Sequence, residues 1–180
     1  MITQIELDGF KTFKDFKVEL APFQVIVGPN GAGKSNLFDA LQLLSRLAEV
    51  DVQTAFQELR GEAGELFTKL PNGQTADRMR IAVDLLVDRK VRDRLGMEAT
   101  LTYTRLHYEV EVTQGSGENR PTDLYITHEV LETIPSERDS WSKTYHLDLE
   151  NGWLPKNISG LRSLISTEEK SKVVLDSDAT

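Results

Sequence analysis

Hydrophobic positions alternate with polar ones in some stretches of the chain and recur at helical spacing in others. Alternation predicts strands over 2–7, 16–20, 79–87, 97–113, 123–134 and 141–150. The longest of these changes face near Thr104, which indicates a bulge or a strong twist. The β-branched run 23–27 predicts one more strand, buried on both faces. Leucine and alanine at helical spacing predict a helix over about 33–49 and a shorter one over 52–59.

A glycine-rich loop joins the predicted strand 23–27 to the predicted helix. Residues 28–35 read Gly-Pro-Asn-Gly-Ala-Gly-Lys-Ser and match the phosphate-binding pattern G-x-x-x-x-G-K-[ST]. Gly31 and Gly33 let the backbone approach phosphate oxygens, and the N–H groups of the loop form a concave anion site. Lys34 reaches the β- and γ-phosphates, and the Ser35 hydroxyl is a candidate Mg²⁺ ligand. The simpler alternative is a strand-to-helix turn that binds nothing.

Composition restricts the class of protein and its chemistry. The 180 residues are 39% hydrophobic and 28% charged, as in ordinary globular proteins. No apolar run approaches the roughly 20 residues of a membrane span, and the N-terminus lacks the pattern of a secretion signal, so we expect a cytoplasmic protein without a membrane partner. The absence of cysteine excludes disulfides and thiolate metal sites, and three scattered histidines do not favour a metal cage.

The net charge of −8 bears on nucleic-acid binding. Non-specific affinity for a phosphate backbone depends on clustered lysine and arginine, which an acidic chain does not supply. We therefore expect any contact with DNA to be indirect, through another part of an assembly.

The residues around the phosphate loop indicate a family. Asn30 and Asn36 flank its glycines, and residues 5–13 read Ile-Glu-Leu-Asp-Gly-Phe-Lys-Thr-Phe. With these residues, segment 1–47 resembles the N-terminal lobe of ABC-type ATPases of the SMC and RecF-like group, which includes AAA-family ATPases related to overcoming-lysogenization-defect nucleases. The resemblance implies that ATP and Mg²⁺ are bound by Asn30, Gly31, Ala32, Gly33, Lys34, Ser35 and Asn36, with Ser35 on the metal. It also implies an ATP-dependent homodimer or larger head-to-head assembly, a nuclease or other effector as partner, and a role in DNA repair, chromosome maintenance or phage defence.

The sequence departs from this family downstream of the loop. Such ATPases also carry a Leu-Ser-Gly-Gly-Gln-like signature, a hydrophobic run that ends in Asp-Glu, and a switch histidine. The nearest candidate for the second element is 173–176, but Ser177 follows Asp176 where the catalytic glutamate belongs, so a strand or loop end is the simpler interpretation. We assign no catalytic residue and expect ATP hydrolysis only if downstream motifs or a partner head complete the enzyme.

Two further groups of residues are candidates for nucleotide contacts. Lys11, Phe13 and Lys14 lie between the first two predicted strands, and the resemblance implies that this loop flanks the base or ribose. The alternative is a solvated edge with its aromatic residues in the core. Gln57 is a candidate for the glutamine that follows the first helix in ABC-type proteins; a solvated helix residue is the alternative.

Together these features predict an α/β fold: a P-loop NTPase, ABC-type N-terminal lobe, with a predominantly antiparallel β portion after the P-loop helix. We place a nucleotide-binding core in 1–60 and a mainly β lobe, which leaves the ATPase incomplete, in 61–180. Two alternatives remain open. A small P-loop kinase or GTPase requires alternating βα units, and a non-catalytic interaction module requires only a structural or vestigial nucleotide site.

Overall fold

The computed structural model describes residues 1–61, 63–92, 96–115 and 123–145, together with the backbone of two later strands. In chain order the elements are β1 (Ile2–Asp8), β2 (Phe16–Glu19), α1 (Lys34–Leu47), α2 (Val52–Gln57), a 3₁₀ turn (Ala63–Leu66), β3 (Arg78–Leu86), β4 (Lys90–Arg92), β5 (Glu98–Thr100), β6 (Arg105–Gln114), β7 (Leu124–Thr133), α3 (Ser140–Thr144), β8 (Ser163–Glu168) and β9 (Lys172–Leu175).

Seven strands form one sheet in the order β2-β1-β3-β6-β7-β8-β9, and every neighbouring pair is antiparallel. β4 and β5 form a separate two-stranded hairpin. This arrangement confirms the antiparallel β portion after the P-loop helix. It is unlike the parallel sheet with alternating helices that a small kinase or GTPase requires.

One face of the sheet carries the hydrophobic core. In β1 every second residue is buried, and Ile5 lies opposite Val83 of β3. Helices α1 and α2 cover this face with buried residues such as Leu43 and Phe56, and the Phe56 ring stacks on Phe67 at 6.0 Å between centroids. The helices therefore bury their apolar stripes against the sheet, which places the N-terminus of α1 beside the loop between β1 and β2.

The opposite face of the sheet carries an ion-pair network. Arg80 of β3 donates to Glu6 at 2.9 Å and to Glu109 at 2.6 Å. His107 Nδ1 lies 2.7 Å from an oxygen of Asp84, so one of the three scattered histidines is paired with a carboxylate. The residues alternate with core positions because successive side chains of a strand point to opposite faces.

The segment 23–27 is not the doubly buried strand that its sequence predicts. It has no strand structure, and Phe23 and Val27 are each 84% exposed. The last hydrogen bond to β1 before this segment runs from the Leu20 N–H to the Thr3 carbonyl at 2.8 Å. Pro22 has no N–H to continue that ladder. Within the described residues no strand pairs with 23–27, and its four apolar side chains are all exposed.

Residues 141–145 also differ from the predicted strand. Residues 141–144 belong to α3 and Tyr145 is its C-cap residue, while the N-cap Asp139 accepts a hydrogen bond from the Ser142 N–H at 3.1 Å. Trp141 is 3% exposed, and its Nε1–H donates to the Leu20 carbonyl at 2.7 Å. The cap and the buried ring favour the helix here; residues 146–150 lie outside the described part of the chain.

The predicted long strand 97–113 is two strands in two sheets. β5 pairs with β4, whereas β6 pairs with β3 in the large sheet. Two backbone hydrogen bonds hold the chain between these strands. The Leu101 N–H donates to the Arg89 carbonyl, and the Val87 N–H donates to the Thr104 carbonyl. The change of face near Thr104 therefore marks a change of sheet and not a bulge.

A buried ion pair fastens α3 to the sheet. The Arg105 guanidinium forks onto both carboxylate oxygens of Asp139 at 2.9 and 3.0 Å, and it also donates to the Thr3 hydroxyl at 2.9 Å. Burial by itself raises the pKa of Asp139, but hydrogen bonds from Arg105 and Ser142 outweigh it and lower that pKa. Arg105 thereby ties strands β1, β3 and β6 to α3.

Residues on both sides of the predicted boundary at residue 60 contribute to the same sheet and the same hydrophobic core. β1 from the first half pairs with β3 from the second, and Leu37 and Val110 belong to one buried cluster. The division stays a prediction. None of the described helices is long and apolar enough to cross a membrane.

Candidate functional site

The glycine-rich loop follows the exposed segment 23–27 and leads into α1. Gly31 and Gly33 adopt φ values of 84° and 88°, in the left-handed region that favours glycine. A Cβ added at Gly31 would meet nothing within 4 Å, so the space above the loop at that point is open. The loop is therefore shaped by its glycines and accessible to a ligand.

The N-terminus of α1 faces the end of this loop without a side-chain cap. Gly33 is the N-cap residue, no side chain hydrogen-bonds to the cap, and the first turn contains no acidic residue. The first amides of a helix lack intrahelical acceptors and carry the positive end of its dipole. Backbone N–H groups in this position bind phosphate.

Lys34 and Ser35 are the first two residues of α1. The Lys34 ammonium lies across the loop and donates to the carbonyls of Gly28 at 2.6 Å and Pro29 at 2.8 Å. The Ser35 side chain is exposed at the start of the helix. An ammonium, a hydroxyl and free amides suit a nucleotide phosphate with Mg²⁺, because they match its negative charge and its preference for oxygen ligands.

The loop between β1 and β2, residues 10–15, packs on the first turns of α1. Lys11 Nζ lies 2.5 Å from an oxygen of Asp39, and the two side chains are 15% and 18% exposed. The Asn36 amide donates to the Thr12 hydroxyl at 2.9 Å. The predicted contact residues Lys11 and Asn36 are thus engaged within the protein.

Phe13 and Lys14 of the same loop differ in exposure. The Phe13 ring is half-buried and packs on Phe16 with 4.6 Å between ring centroids. Lys14 is exposed. Of the predicted trio Lys11, Phe13 and Lys14, Lys14 is therefore the one with an exposed side chain.

Gln57, the candidate glutamine after the first helix, is the last residue of α2 and is exposed. Its neighbour on the same helix, Gln53, donates to the Leu124 carbonyl at 3.3 Å and fastens α2 to β7.

Two residues near the phosphate loop were not identified as candidates from the sequence. Thr12 Oγ1 lies 3.5 Å from the position that a Cβ on Gly33 would occupy. Asp39 follows Lys34 by five residues and pairs with Lys11, which is 28 positions away. Neither residue belongs to the glycine-loop pattern. The only sequence signal was the group of candidate nucleotide contacts in 11–14, which placed this loop near the phosphate site.

The ion-pair network on the outer face of the sheet lies outside this site. A hydrogen bond from Arg80 is the largest influence on Glu109 and lowers its pKa despite burial, and the hydrogen bond to Asp84 raises the pKa of His107. Among the described residues, no group of three or more histidine, aspartate or glutamate side chains is arranged to hold a metal ion.

Comparisons with known proteins identify what the chain is similar to. Residues 1–174 match the family model described as AAA ATPase domain. A chromosome partition protein Smc from Bordetella petrii is 36% identical over 89 residues, which cover 48% of this chain and 7% of that protein. The DNA replication and repair protein RecF of a Synechococcus strain is 30% identical over 135 residues, 66% of this chain and 34% of RecF.

A second Smc, from another Synechococcus strain, is 29% identical over 186 aligned positions, which span 99% of this chain and 14% of that protein. The chain thus spans about a third or less of the length of each of these three relatives. Its similarity to the Smc and RecF sequences confirms the SMC and RecF-like resemblance that was read from the residues around the loop.

Proposed function

The chain belongs to the AAA ATPase domain family, and from this premise we propose that it is the ATP–Mg²⁺-binding N-terminal lobe of an SMC/RecF-like ATPase. The amides of the segment 30–36 bind the phosphates, Lys34 neutralises their charge and Ser35 ligates Mg²⁺. The observation that carries the proposal is the shape of the loop: the left-handed Gly31 and Gly33 lead into the uncapped N-terminus of the 14-residue helix α1.

Lys34 is already poised over this site. Its ammonium spans the loop through the Gly28 and Pro29 carbonyls, so a bound phosphate meets a positive charge that is held close to the loop amides. Bound Mg²⁺ would supply further charge neutralisation of the phosphates. Lys14 and Phe13 are proposed to flank the base or ribose. Gln57 stays a candidate for the glutamine that follows the first helix in ABC-type proteins, with a proposed contact to Mg²⁺ and the attacking water.

We expect little or no ATP turnover by this chain alone. Phosphoryl transfer needs a positioned water and charge stabilisation opposite the cradle, and the 180-residue sequence holds no signature motif and no Asp-Glu pair after a hydrophobic run. The exposed apolar side chains of 23–27, directly before the loop, support completion by another polypeptide surface, because such runs mark interaction sites.

The assembly and the biological role belong to the same proposal. We propose that ATP promotes pairing of two such heads, as a homodimer or in a larger complex with a nuclease or other effector. The relatives are named for chromosome partition and for DNA replication and repair, which supports a role in DNA transactions. With its net charge of −8 the chain engages DNA through its assembly and not by itself. Phage defence stays a prediction from the sequence.

Titration calorimetry of the 180-residue chain with ATP and Mg²⁺ tests the binding proposal. Lys34→Ala is expected to abolish measurable ATP binding, because it removes the cation over the phosphate loop. Lys69→Ala, which removes an equal charge from an exposed position, is the matched control and should bind like the wild type. Ser35→Ala should lower the affinity in the presence of Mg²⁺ and leave the affinity in EDTA unchanged.

Each outcome separates the remaining alternatives. Binding without turnover supports the incomplete ATPase, and binding with turnover comparable to complete enzymes would contradict it. No binding points to an interaction module with a vestigial site. Light scattering with and without ATP measures the proposed pairing; an unchanged monomer mass at saturating ATP would contradict it.

A further inference from the structure

Leu20 is the last residue before the phosphate loop that is held by other elements of the protein. Its N–H donates to the Thr3 carbonyl of β1 at 2.8 Å. Its carbonyl accepts from the indole N–H of Trp141 at 2.7 Å, and this tryptophan belongs to α3, 121 positions later in the chain. Both backbone groups of Leu20 are therefore fixed, one by the first strand and the other by a distant helix.

The segment 21–27, which leads from Leu20 to the phosphate loop, makes no comparable contact. Its residues are exposed from position 22 onward. Within the described part of the chain its one hydrogen bond is local, from the Ala21 N–H to the Gln24 side chain at 3.4 Å. The next hydrogen bonds along the chain lie in the phosphate loop itself, where Lys34 donates to two carbonyls. The phosphate loop is thus suspended between two fixed ends, Leu20 and the start of α1.

Trp141 is itself held in a closed circuit of contacts. It is 3% exposed, and the Arg105 guanidinium lies 5.1 Å from the centroid of its ring. Arg105 binds Asp139, the N-cap residue of the same helix, and it also donates to the Thr3 hydroxyl. The Thr3 carbonyl in turn accepts the Leu20 N–H. The position of Leu20 is therefore determined jointly by β1, β6 and α3.

The anchoring of Leu20 bears on the free energy of ordering the phosphate loop. A segment with one loose end samples more conformations, and a ligand that orders it must offset that entropy. Since 21–27 has no other contact with the protein, the point at which it leaves the sheet limits the range of positions that the loop can reach. The Leu20 carbonyl, held by Trp141, is that point.

We propose that α3 is a latch on the phosphate loop, in which the Trp141 indole fixes the exit of 21–27 from the sheet and thereby favours nucleotide binding. Trp141 is then a positioning residue, because it acts through Leu20 and not on the nucleotide. This inference rests on the proposed function, since it concerns the regulation of the same ATP site. Coupling between two equilibria is reciprocal, so bound nucleotide strengthens the latch by the factor by which the latch strengthens nucleotide binding.

Trp141→Phe removes the indole N–H and keeps an aromatic ring in place. One neutral hydrogen bond changes an equilibrium by about 2- to 12-fold, so titration calorimetry should show an ATP–Mg²⁺ affinity that is lower by about that factor. Tyr108→Phe is the matched control. It removes one hydrogen-bond donor from another ring, whose hydroxyl donates to Glu129 of β7 at 2.7 Å, and it should bind ATP as the wild type does.

Ser142→Ala is a milder variant that leaves the indole intact. It removes the hydroxyl that donates to Asp139 at the N-terminus of α3. The loosened helix holds Trp141 less firmly, so the affinity for ATP should fall in the same direction as in Trp141→Phe and by a smaller factor. Urea unfolding of all three variants gives the loss of stability against which each change in affinity is compared.

Hydrogen exchange of the Trp141 indole N–H, followed by NMR, is a readout that a purely structural role would not move. The chain contains two tryptophans, and the signal that is lost in Trp141→Phe assigns this indole. Exchange is measured while the backbone N–H groups of β3 stay unexchanged, so that it reports local opening and not global unfolding. Saturating ATP–Mg²⁺ should slow the exchange by about the factor that Trp141→Phe costs in affinity, and it should have no effect in Lys34→Ala.

The outcomes distinguish this inference from the function on which it rests. If the wild type does not bind ATP, both fall. If Lys34→Ala loses ATP while Trp141→Phe binds like the wild type, the function stands and the inference is overturned. Equal losses of affinity in Trp141→Phe and Tyr108→Phe also overturn it, because they follow stability and not the latch. Indole exchange that is the same with and without ATP overturns it as well, since reciprocal coupling is then absent.

Discussion

Arg105→Ala is the substitution from which we expect the largest loss of stability in this chain. The Arg105 side chain is 2% exposed and makes two hydrogen bonds to Asp139, one to the Thr3 hydroxyl and one to the Leu85 carbonyl. It also lies over the Trp141 ring, 5.1 Å from the centroid. Truncation therefore removes every one of these contacts at once.

The expected magnitude follows from what is left behind. Asp139 stays buried at 6% exposure with only the Ser142 donors. Breaking one side of a buried ion pair costs about 3–5 kcal/mol, since the remaining charge is uncompensated. Natural domains are stable by about 5–15 kcal/mol, so this loss is a large fraction of the total. For a chain of this size it corresponds to a melting temperature lower by about 6–20 °C.

Urea unfolding followed by circular dichroism measures the effect. Arg92→Ala is the matched control, because Arg92 pairs with Glu98 while their side chains are 67% and 59% exposed; such a pair contributes about 0–1 kcal/mol. Replacing both partners of the buried pair, Arg105→Met with Asp139→Leu, should recover part of the loss. A loss below about 1 kcal/mol for Arg105→Ala, with an unchanged slope against urea, would refute this reasoning.

The pH dependence gives a second measure of the same pair. The pKa of Asp139 is lowered in the folded protein, so its contribution is present above the unfolded value of 3.8 and is lost as the pH falls through the folded value. The difference in stability between the wild type and Arg105→Ala should therefore narrow below about pH 4.

Three further predictions address other parts of the molecule. Gly9→Ala should cost more than about 2 kcal/mol in urea unfolding, because Gly9 has a φ of 72° and a Cβ there would lie 2.3 Å from a carbonyl oxygen of β3. The hydrogen bond to Asp84 raises the pKa of His107, so this pair contributes fully to the unfolding free energy below the unfolded pKa of 6.5, and the contribution is lost as the pH rises through the folded pKa. His107→Gln should abolish that decline in unfolding free energy, and an unchanged pH profile would exclude the pair as its source. Phe23→Ser and Val27→Thr should each change stability by less than about 0.5 kcal/mol, because both side chains are exposed, whereas losses of 2 kcal/mol or more would show that they are buried.

Features that depend on near neighbours in the chain are predictable from the sequence. Helix α1 follows from leucine and alanine at helical spacing, and β1 and β3 follow from alternation, since each pattern has the period of its own element. The conformation of the phosphate loop follows from Gly31 and Gly33, because glycine enters the left-handed region without a side-chain penalty.

Features that depend on partners distant in sequence follow only from the packing of the whole chain. The apolar run 23–27 reads as a buried strand, but burial requires neighbouring strands, and none lies beside it within the described residues. The alternation after Trp141 reads as a strand, yet the Asp139 cap and the contact with Arg105 favour a helix.

The candidate site divides in the same way. Its phosphate loop is a contiguous motif, so the sequence identifies it without knowledge of the fold. The hydrogen bond between Asn36 and Thr12 and the pairing of Lys11 with Asp39 join residues that are 24 and 28 positions apart, and only packing of the β1–β2 loop on α1 brings them together. Local periodicity sets which elements form, and long-range contacts decide which side chains meet.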